Sequence, residues 1–113
     1  MIGAGGPTDV VVVLTTASSY EEADQISAVL VERRLAACVQ VVGPIESRHR
    51  WEGRVAMATE WLCLIKTTVD AYPALEVAIN DVHSYDLPQI MAVPVVAGSA
   101  AYLAWVSEGT RPE

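Results

Sequence analysis

Residues 10–22 decide the fold, and they read VVVVLTTASSYEE. Their first half is a continuous run rich in β-branched residues, which is typical of a central strand with little exposure to solvent. Their second half matches the S-x-x-E capping box twice, as Ser18 with Glu21 and as Ser19 with Glu22. We therefore predict a strand that passes directly into the start of a helix.

This first helix is predicted to have one apolar face, because Ala23, Ile26 and Leu30 recur at positions i, i+3 and i+7. Acidic side chains fall in its first turn, and Arg33 and Arg34 are predicted in its last turn. Charges placed in this way oppose the helix dipole at both ends. The pattern therefore indicates an amphipathic helix with one buried face.

Two further strands are predicted to form a long hairpin. Residues 35–51 are extended in two pieces around Gly43-Pro44, and residues 54–68 resume as a strand after the turn signal Glu52-Gly53. Proline has no N–H to donate to a ladder. Pro44 therefore predicts that its strand lies at a sheet edge or contains a bulge.

A second amphipathic helix follows the hairpin. We predict Asp70 as its N-cap, Pro73 in its first turn and an end near His83. Its apolar positions follow the helical repeat, namely Leu75, Ala78, Ile79 and Val82.

The chain closes with one more strand and a short helix. Residues 90–96 predict the strand, and Pro94 within it again indicates an edge or a bulge. Gly98-Ser99 begins the last helix, which Gly109 ends. The order β-α-β-β-α-β with an extra C-terminal helix predicts an α+β, ferredoxin-like fold, with an antiparallel sheet and both main helices on one face.

The length and composition of the chain limit the number of domains and the amount of apolar surface that one subunit can bury. The chain has 113 residues, of which 52% are hydrophobic, and its formal net charge is −7. We expect one domain over residues 9–108, preceded by a flexible lead-in at 1–8 and followed by a tail at 109–113. A chain this short leaves much apolar surface outside its core, so we expect subunit packing to cover the free sheet face.

The charge balance excludes several partners. Fourteen acidic residues against seven basic ones argue against binding to nucleic acid or to an anionic membrane surface. No apolar run approaches the ~20 residues of a membrane span, and the N-terminus lacks the pattern of a signal peptide. Two cysteines are too few for a disulfide scaffold. These features predict a cytoplasmic, reduced protein.

The residues that could bind a metal are scattered singly, namely Cys38, His49, Cys63 and His83. A structural zinc site needs closely spaced ligand pairs, which this pattern does not provide. Each cysteine is either a small buried hydrophobe or a soft ligand for copper or mercury. His83 is either a helix C-terminal residue favoured by the dipole or a ligand or pocket residue.

Five segments of the chain belong together in one pattern, namely Leu35-Ala36-Ala37-Cys38-Val39, Trp51-Glu52-Gly53-Arg54, Glu60 with Leu64-Ile65-Lys66-Thr67, His83-Ser84-Tyr85-Asp86-Leu87-Pro88-Gln89-Ile90, and Tyr102-Leu103-Ala104-Trp105-Val106. Together they resemble the CutA family of divalent-cation tolerance proteins, and the resemblance runs from about Val10 to Val106. It implies a ferredoxin-like subunit in a tight homotrimer, with no enzymatic reaction and no required cofactor. It also implies a link to tolerance of copper and other divalent ions.

The resemblance also implies which residues form the functional site. Cys38 matches the family's Ala-Ala-Cys position, and His83 and Tyr85 match its His-Pro-Tyr motif, with Ser84 in place of the proline. It implies His83 and Cys38 as metal ligands for Cu²⁺ or another divalent cation. The same inter-subunit clefts would contain Trp51, Glu60, Lys66 and Tyr85, where Lys66 would suit a small anion. The family's first-strand cysteine is absent here, and Gln89 stands where a glutamate is common.

Two other functions are the alternatives. A PII-like trimeric nucleotide sensor shares the assembly plan but carries a long mobile loop between the second and third strands, where residues 45–55 predict a tight hairpin. A small hydrolase of acylphosphatase type needs a glycine-rich phosphate loop after the first strand. Ala17-Ser18-Ser19 offers no such loop.

Overall fold

The computed structural model describes residues 8–111 and shows the predicted order of elements. The elements are β1 (Val10–Ala17), α1 (Tyr20–Glu32), β2 (Cys38–Trp51), β3 (Arg54–Thr68), α2 (Tyr72–Val82), β4 (Met91–Pro94) and α3 (Ala100–Gly109). The four strands form one antiparallel sheet in the order β2-β3-β1-β4. The predicted α+β fold with an extra C-terminal helix is confirmed. Residues 1–7 of the predicted lead-in and residues 112–113 of the predicted tail lie outside the described residues.

Strand positions in the sheet agree with the proline pattern. β1 lies between β3 and β4, as its continuous apolar run predicts, and the two proline-containing strands β2 and β4 are the edges. The register of β2 shifts between Val42 and Ile45, so Pro44 lies at a bulge as well as at an edge. β4 is shorter than the predicted 90–96, although one backbone bond to β1 continues beyond Pro94, from the N–H of Val95 to the carbonyl of Val10 at 3.1 Å.

The start of α1 uses the second of the two predicted capping pairs. Ser19 is the N-cap, and its Oγ accepts a hydrogen bond of 3.0 Å from the backbone N–H of Glu22. The Glu22 carboxylate reaches back and accepts bonds from the backbone N–H (2.8 Å) and the hydroxyl (2.9 Å) of Ser18. These bonds satisfy donors that a helix start otherwise leaves unpaired.

The end of α1 differs from the prediction. The helix ends at Glu32, so Arg33 and Arg34 follow it instead of lying in its last turn. Arg34 adopts a left-handed backbone conformation (φ 57°), and its guanidinium donates to the backbone carbonyls of Glu108 and Arg111. Arg34 thus contributes to two helix ends. Its left-handed backbone closes α1, where the N–H of Arg34 donates to the Val31 carbonyl and that of Leu35 to the Leu30 carbonyl, and its guanidinium caps the C-terminus of α3.

The predicted N-cap of α2 is wrong. Ala71 occupies that position without a side-chain cap, and Pro73 lies in the first turn as predicted. The backbone N–H of Ala71 instead donates 3.3 Å to the hydroxyl of Thr68, at the end of β3. The end of the helix at Val82, with His83 as C-cap, agrees with the prediction.

The core lies between α1, α2 and one face of the sheet. Ile26 and Leu30 of α1 and Leu75 and Ile79 of α2 are buried against strand residues that point to the same side. Those strand residues are Val11, Val13, Ala17, Cys63 and Ile65. Both main helices therefore cover one face, as predicted.

The opposite side of the sheet, called here the open face, carries the alternate strand residues. Its members are Val12 and Leu14 of β1, Leu62, Leu64 and Lys66 of β3, and Cys38, Gln40 and Val42 of β2. α3 lies beside one end of this face, where the hydroxyls of Thr110 and Thr68 are 3.5 Å apart. Within residues 8–111 the remainder of the open face is only partly buried.

Candidate functional site

A groove of about 800 Å³ lies on the open side of the sheet, between the β2–β3 hairpin and segment 85–89. β2 contributes Ser47, His49 and Trp51, and β3 contributes Ala58 and Glu60. Segment 85–89 follows α2 and forms the facing wall. Three of the residues named by the resemblance, Trp51, Glu60 and Tyr85, therefore line one groove.

The bulge in β2 decides which side chains face this groove. Val41, before the bulge, pairs with Cys63 and points to the core. Ser47, after the bulge, pairs with Ala58 on the open side. An extra residue after Val42 produces the change, because a shift of one residue turns every later side chain to the other face. Without the bulge, the polar end of β2 would point away from the groove.

A two-residue turn ends the hairpin. Glu52 (φ 49°) and Gly53 (φ 78°) are both left-handed, as a tight turn between twisted strands requires. The connection between β2 and β3 is therefore as short as the sequence predicts.

Glu60 is a buried carboxylate at the inner end of the groove. The residue is 7% exposed, and its Oε2 accepts a 2.8 Å hydrogen bond from the Tyr85 hydroxyl. Burial alone would raise the pKa of Glu60, but hydrogen bonds from the hydroxyls of Ser47, Tyr85 and Thr16, together with an electrostatic contribution from His49, bring it below its ordinary value. Burial and the bond to Glu60 raise the pKa of Tyr85 to about 12. At neutral pH the groove thus holds a charged carboxylate and a protonated phenol.

His83 lies behind the groove with its side chain fully buried. Its Nε2 is 2.7 Å from the backbone carbonyl of Thr16, and its Nδ1 is 3.1 Å from the backbone N–H of Tyr85. A carbonyl only accepts and an amide N–H only donates, so Nε2 carries the proton, Nδ1 accepts, and the ring is neutral. His83 thereby fixes Tyr85 relative to β1. Coordination of a metal through His83 would require one of these two bonds to break.

Glu22 contacts the same segment of the chain as His83, a role that the sequence does not indicate. Its Oε2 accepts a 2.7 Å hydrogen bond from the backbone N–H of Ser84 and lies 3.7 Å from Nδ1 of His83. Burial opposes ionisation of Glu22, but hydrogen bonds from Ser18 and Ser84 lower its pKa to about 2. The capping residue of α1 therefore also anchors segment 83–85.

Cys38 and Lys66 lie elsewhere on the sheet. They are direct partners in the β2–β3 ladder on the open face, and Lys66 donates to the Gln40 side chain. Six residues of β3 separate Lys66 from Glu60, which is roughly 20 Å along the strand. Within one chain the predicted site residues thus form two groups, one with Trp51, Glu60, His83 and Tyr85 and one with Cys38 and Lys66.

The two cysteines differ in their surroundings. Cys38 is half-buried at the open face, whereas Cys63 is fully buried in the core. Burial raises the pKa of the Cys63 thiol to about 11, so this thiol behaves as a small hydrophobe. Residues 8–111 contain no cluster of three or more His, Cys, Asp or Glu side chains suited to a metal ion.

Comparison with known proteins gives a consistent result. The family model described as "CutA1 divalent ion tolerance protein" matches residues 11–109. A protein of Thermus thermophilus named "Divalent-cation tolerance protein CutA" is 44% identical over 99 residues, covering 88% of this chain and 96% of that protein. The Arabidopsis thaliana "Protein CutA, chloroplastic" is 38% identical over 101 residues, covering 89% of this chain and 56% of that protein.

Solved structures agree with the sequence comparison. The Thermus thermophilus divalent cation tolerance protein superposes with a TM-score of 0.89 at 43% identity, over 90% of this chain and 99% of that one. The periplasmic divalent cation tolerance protein CutA of Archaeoglobus fulgidus superposes with a TM-score of 0.88 at 35% identity, over 90% and 99% of the two chains.

Proposed function

The chain belongs to the CutA1 divalent ion tolerance protein family, and on that premise we propose that it is a homotrimer that binds soft divalent cations such as Cu²⁺ weakly in the clefts between subunits. Its relatives carry the names of tolerance proteins and not of enzymes. We accordingly propose a binding function without a catalytic reaction.

The observation that carries this proposal is the open face of the sheet. It presents apolar side chains and a half-buried thiol to the outside of the single chain. Apolar side chains are also exposed on the edge strand β4 and on α3, where Met91 and Trp105 are each 50% exposed. Unpaired edges and apolar faces are what symmetric assembly buries. Three copies of this chain would cover these surfaces with one another.

The two soft donors, Cys38 and His83, belong to different chains in this proposal. Cys38 pairs with Lys66, while His83 bonds to Thr16, whose partner on β3 is Leu62. Four residues along β3 correspond to roughly 14 Å, which is too far for one ion. The thiolate of one subunit and the imidazole of another would therefore share a cation, after Nδ1 of His83 releases the Tyr85 amide.

Copper titration of the reduced protein tests the donors. We expect Cys38→Ser and His83→Ala each to weaken Cu²⁺ affinity by at least about tenfold. Cys63→Ala is the matched control and is expected to bind like the unmodified chain, because Cys63 is buried away from the open face. Unchanged affinity in both Cys38→Ser and His83→Ala would remove both residues from the ligand set.

The PII-like alternative is not favoured. Such sensors carry a long loop between the second and third strands, whereas β2 and β3 here are joined by the two residues Glu52 and Gly53. The relatives and solved structures reported above are CutA proteins.

We propose the cytoplasm as the compartment, because a thiolate donor requires a reduced Cys38. Relatives with chloroplastic and periplasmic names show that the family is not confined to one compartment. None of the helices in residues 8–111 has the length and apolarity needed to cross a membrane.

A further inference from the structure

We propose that a cavity at the end of the sheet opposite the hairpin turn binds the phosphate group of a small phosphorylated molecule. The cavity, called here the arginine cavity, has a volume of about 650 Å³, and its lining includes Arg33, Arg34 and Arg111. It lies between the end of α1, the start of α2 and the end of α3. It shares no residue with the groove beside the hairpin and includes neither Cys38 nor Lys66. The proposal therefore does not rest on cation binding.

Basic side chains are concentrated around the arginine cavity. Its three arginines are three of only seven Lys and Arg residues in a chain whose net charge is −7. Asp9 and Asp70 also line it, but neither forms an ion pair with a basic side chain of residues 8–111. Three positive charges against two negative ones leave one net positive charge in the lining. An anion that the rest of the chain repels is attracted here.

The arginines follow the ends of α1 and α3, where basic side chains often serve only as helix caps. Here other groups supply most of the caps. In α1, carbonyls of the last turn accept bonds from the backbone N–H groups of residues 33–36. At the end of α3, the Thr110 hydroxyl and the Arg34 guanidinium donate to the carbonyls, and Arg34 uses only two of its five N–H groups.

Arg33 and Arg111 have no such structural role for their side chains. Neither guanidinium forms a hydrogen bond or an ion pair within residues 8–111. Together with the remaining N–H groups of Arg34, they direct a set of unused donors to one cavity. This surplus of donors is the observation that carries the proposal.

The placement of the donors favours a tetrahedral anion. Arg33 and Arg34 reach the cavity from the end of α1, and Arg111 reaches it from the end of α3. A phosphate presents oxygens in several directions and can accept from guanidinium groups on both walls, whereas a carboxylate presents two oxygens in one plane. The first turn of α2, which has no side-chain cap, adds backbone N–H groups on the third wall.

The cavity is larger than a free phosphate ion. A volume of about 650 Å³ is within the range of pockets that hold small organic ligands. Leu35, Val69 and Ala74 give the lining an apolar part, and Ser107 adds a hydroxyl. A phosphate monoester with a small organic part matches this combination of charge, size and lining.

NMR titration of the metal-free full chain with glycerol 3-phosphate tests the proposal. The amide chemical shifts of the isotope-labelled protein are followed at constant ionic strength, so that general screening does not change. We expect saturable shifts around the arginine cavity, in residues 33–36, 69–75 and 107–111. Inorganic phosphate is expected to shift the same residues, and glycerol is expected to shift none.

Arg33→Gln and Arg111→Gln are each expected to weaken glycerol 3-phosphate binding at least about fivefold. Both side chains are exposed and unbonded within residues 8–111, so both variants are expected to fold. Arg50→Gln is the matched control, because Arg50 is exposed beside the hairpin turn and its loss changes the net charge equally. It is expected to bind glycerol 3-phosphate like the unmodified chain.

Asp70→Asn tests the sign of the charge effect. It is expected to strengthen binding at least about twofold, because it removes a carboxylate from the lining. Asp24→Asn is its control, since Asp24 is exposed in the first half of α1, and it is expected to change binding less.

Three results would overturn the proposal. Equal weakening in Arg33→Gln and Arg50→Gln would show diffuse attraction instead of a site. Absence of saturable shifts at millimolar glycerol 3-phosphate, or shifts of the same size with glycerol, would exclude recognition of the phosphate group. Tighter binding of inorganic phosphate than of the ester would support the phosphate site and assign it to the free anion. Because the titration contains no metal, its outcome is separate from that of the copper titration.

Discussion

Thr15 of β1 and Thr67 of β3 both point to the core, but only one of their two hydroxyls forms a hydrogen bond. Thr15 and Thr67 are both fully buried. The Thr67 hydroxyl donates 2.7 Å to the backbone carbonyl of Leu35, whereas the Thr15 hydroxyl has no partner among the described residues. A buried hydroxyl without a partner lowers stability, because it has lost its bonds to water.

These contrasting environments predict opposite effects of the same substitution. Thr15→Val is expected to leave the free energy of unfolding unchanged or to raise it by up to ~1 kcal/mol. Thr67→Val is expected to lower it by about 1–2 kcal/mol, because the Leu35 carbonyl loses its donor. Urea denaturation of the two variants checks this pair. Equal losses in both would contradict the hydrogen-bond assignment.

Glu22 has two roles in the structure, and the sequence predicts only one of them. The spacing of Ser19 and Glu22 predicts the helix cap, because a capping box is a local pattern. The contact between Glu22 and Ser84 joins residues from different elements, and no local spacing encodes it. His83 is similar, since the sequence marks it as a helix end but not as a neutral ring held between β1 and Tyr85.

At the scale of elements, the β2 bulge has the largest consequence for the site. The sequence predicts an edge or a bulge at Pro44, and both are present. It does not predict that the bulge turns Ser47, His49 and Trp51 to the open side, because the face depends on the number of inserted residues. The groove exists as a result of that change of face.

The bulge also lies in close contact with an aromatic ring. A Cβ atom at Gly43 would lie 2.5 Å from Cδ1 of Trp61, which is closer than non-bonded atoms can approach. Gly43→Ala is therefore expected to lower the free energy of unfolding by about 1–3 kcal/mol, because the Trp61 ring or the bulge must move.

Gly53→Asn is the matched control for Gly43→Ala. The hairpin turn has open space around Gly53, and asparagine tolerates the left-handed conformation found there. We expect a change of less than ~0.5 kcal/mol in that variant. Thermal or urea unfolding distinguishes the two, and a neutral Gly43→Ala would show that the contact with Trp61 does not hold the bulge.

The two main helices differ in how well the sequence predicts their starts. The cap of α1 follows from side chains beside the helix, and the second of its two predicted registers is correct. The sequence predicts that α2 starts at Asp70, but the hydroxyl of Thr68 bonds to the backbone N–H of Ala71 and the helix begins at Tyr72. A carboxylate that fits a cap pattern can thus be bypassed when a neighbouring strand end supplies the acceptor.

At the scale of the whole molecule, the order of elements and the central position of β1 follow from hydrophobic patterning and proline positions. The grouping of the site residues does not. Six candidate residues that the resemblance places together form two groups within one chain, and Glu60 of one group lies roughly 20 Å along β3 from Lys66 of the other. Their separation within one chain is what makes contact between subunits central to the proposed function.

Many of the hydrophobic residues that the core does not bury lie in identifiable regions of the surface. The core between the helices and the sheet buries one face, and the open face, the edge strand β4 and the exposed side of α3 carry many of the apolar side chains that stay exposed. Tyr102 and Trp105 of α3 stack on each other with ring centroids 5.6 Å apart. A surface of this kind is stable in water when other subunits cover it.

The native mass of the purified full chain, measured by light scattering after size-exclusion chromatography, tests the proposed trimer most directly. We predict a single species of about three times the chain mass of 12.1 kDa, stable on dilution to low micromolar concentration. A stable monomer of one chain mass would contradict the trimer and, with it, the cation site shared between Cys38 of one subunit and His83 of another.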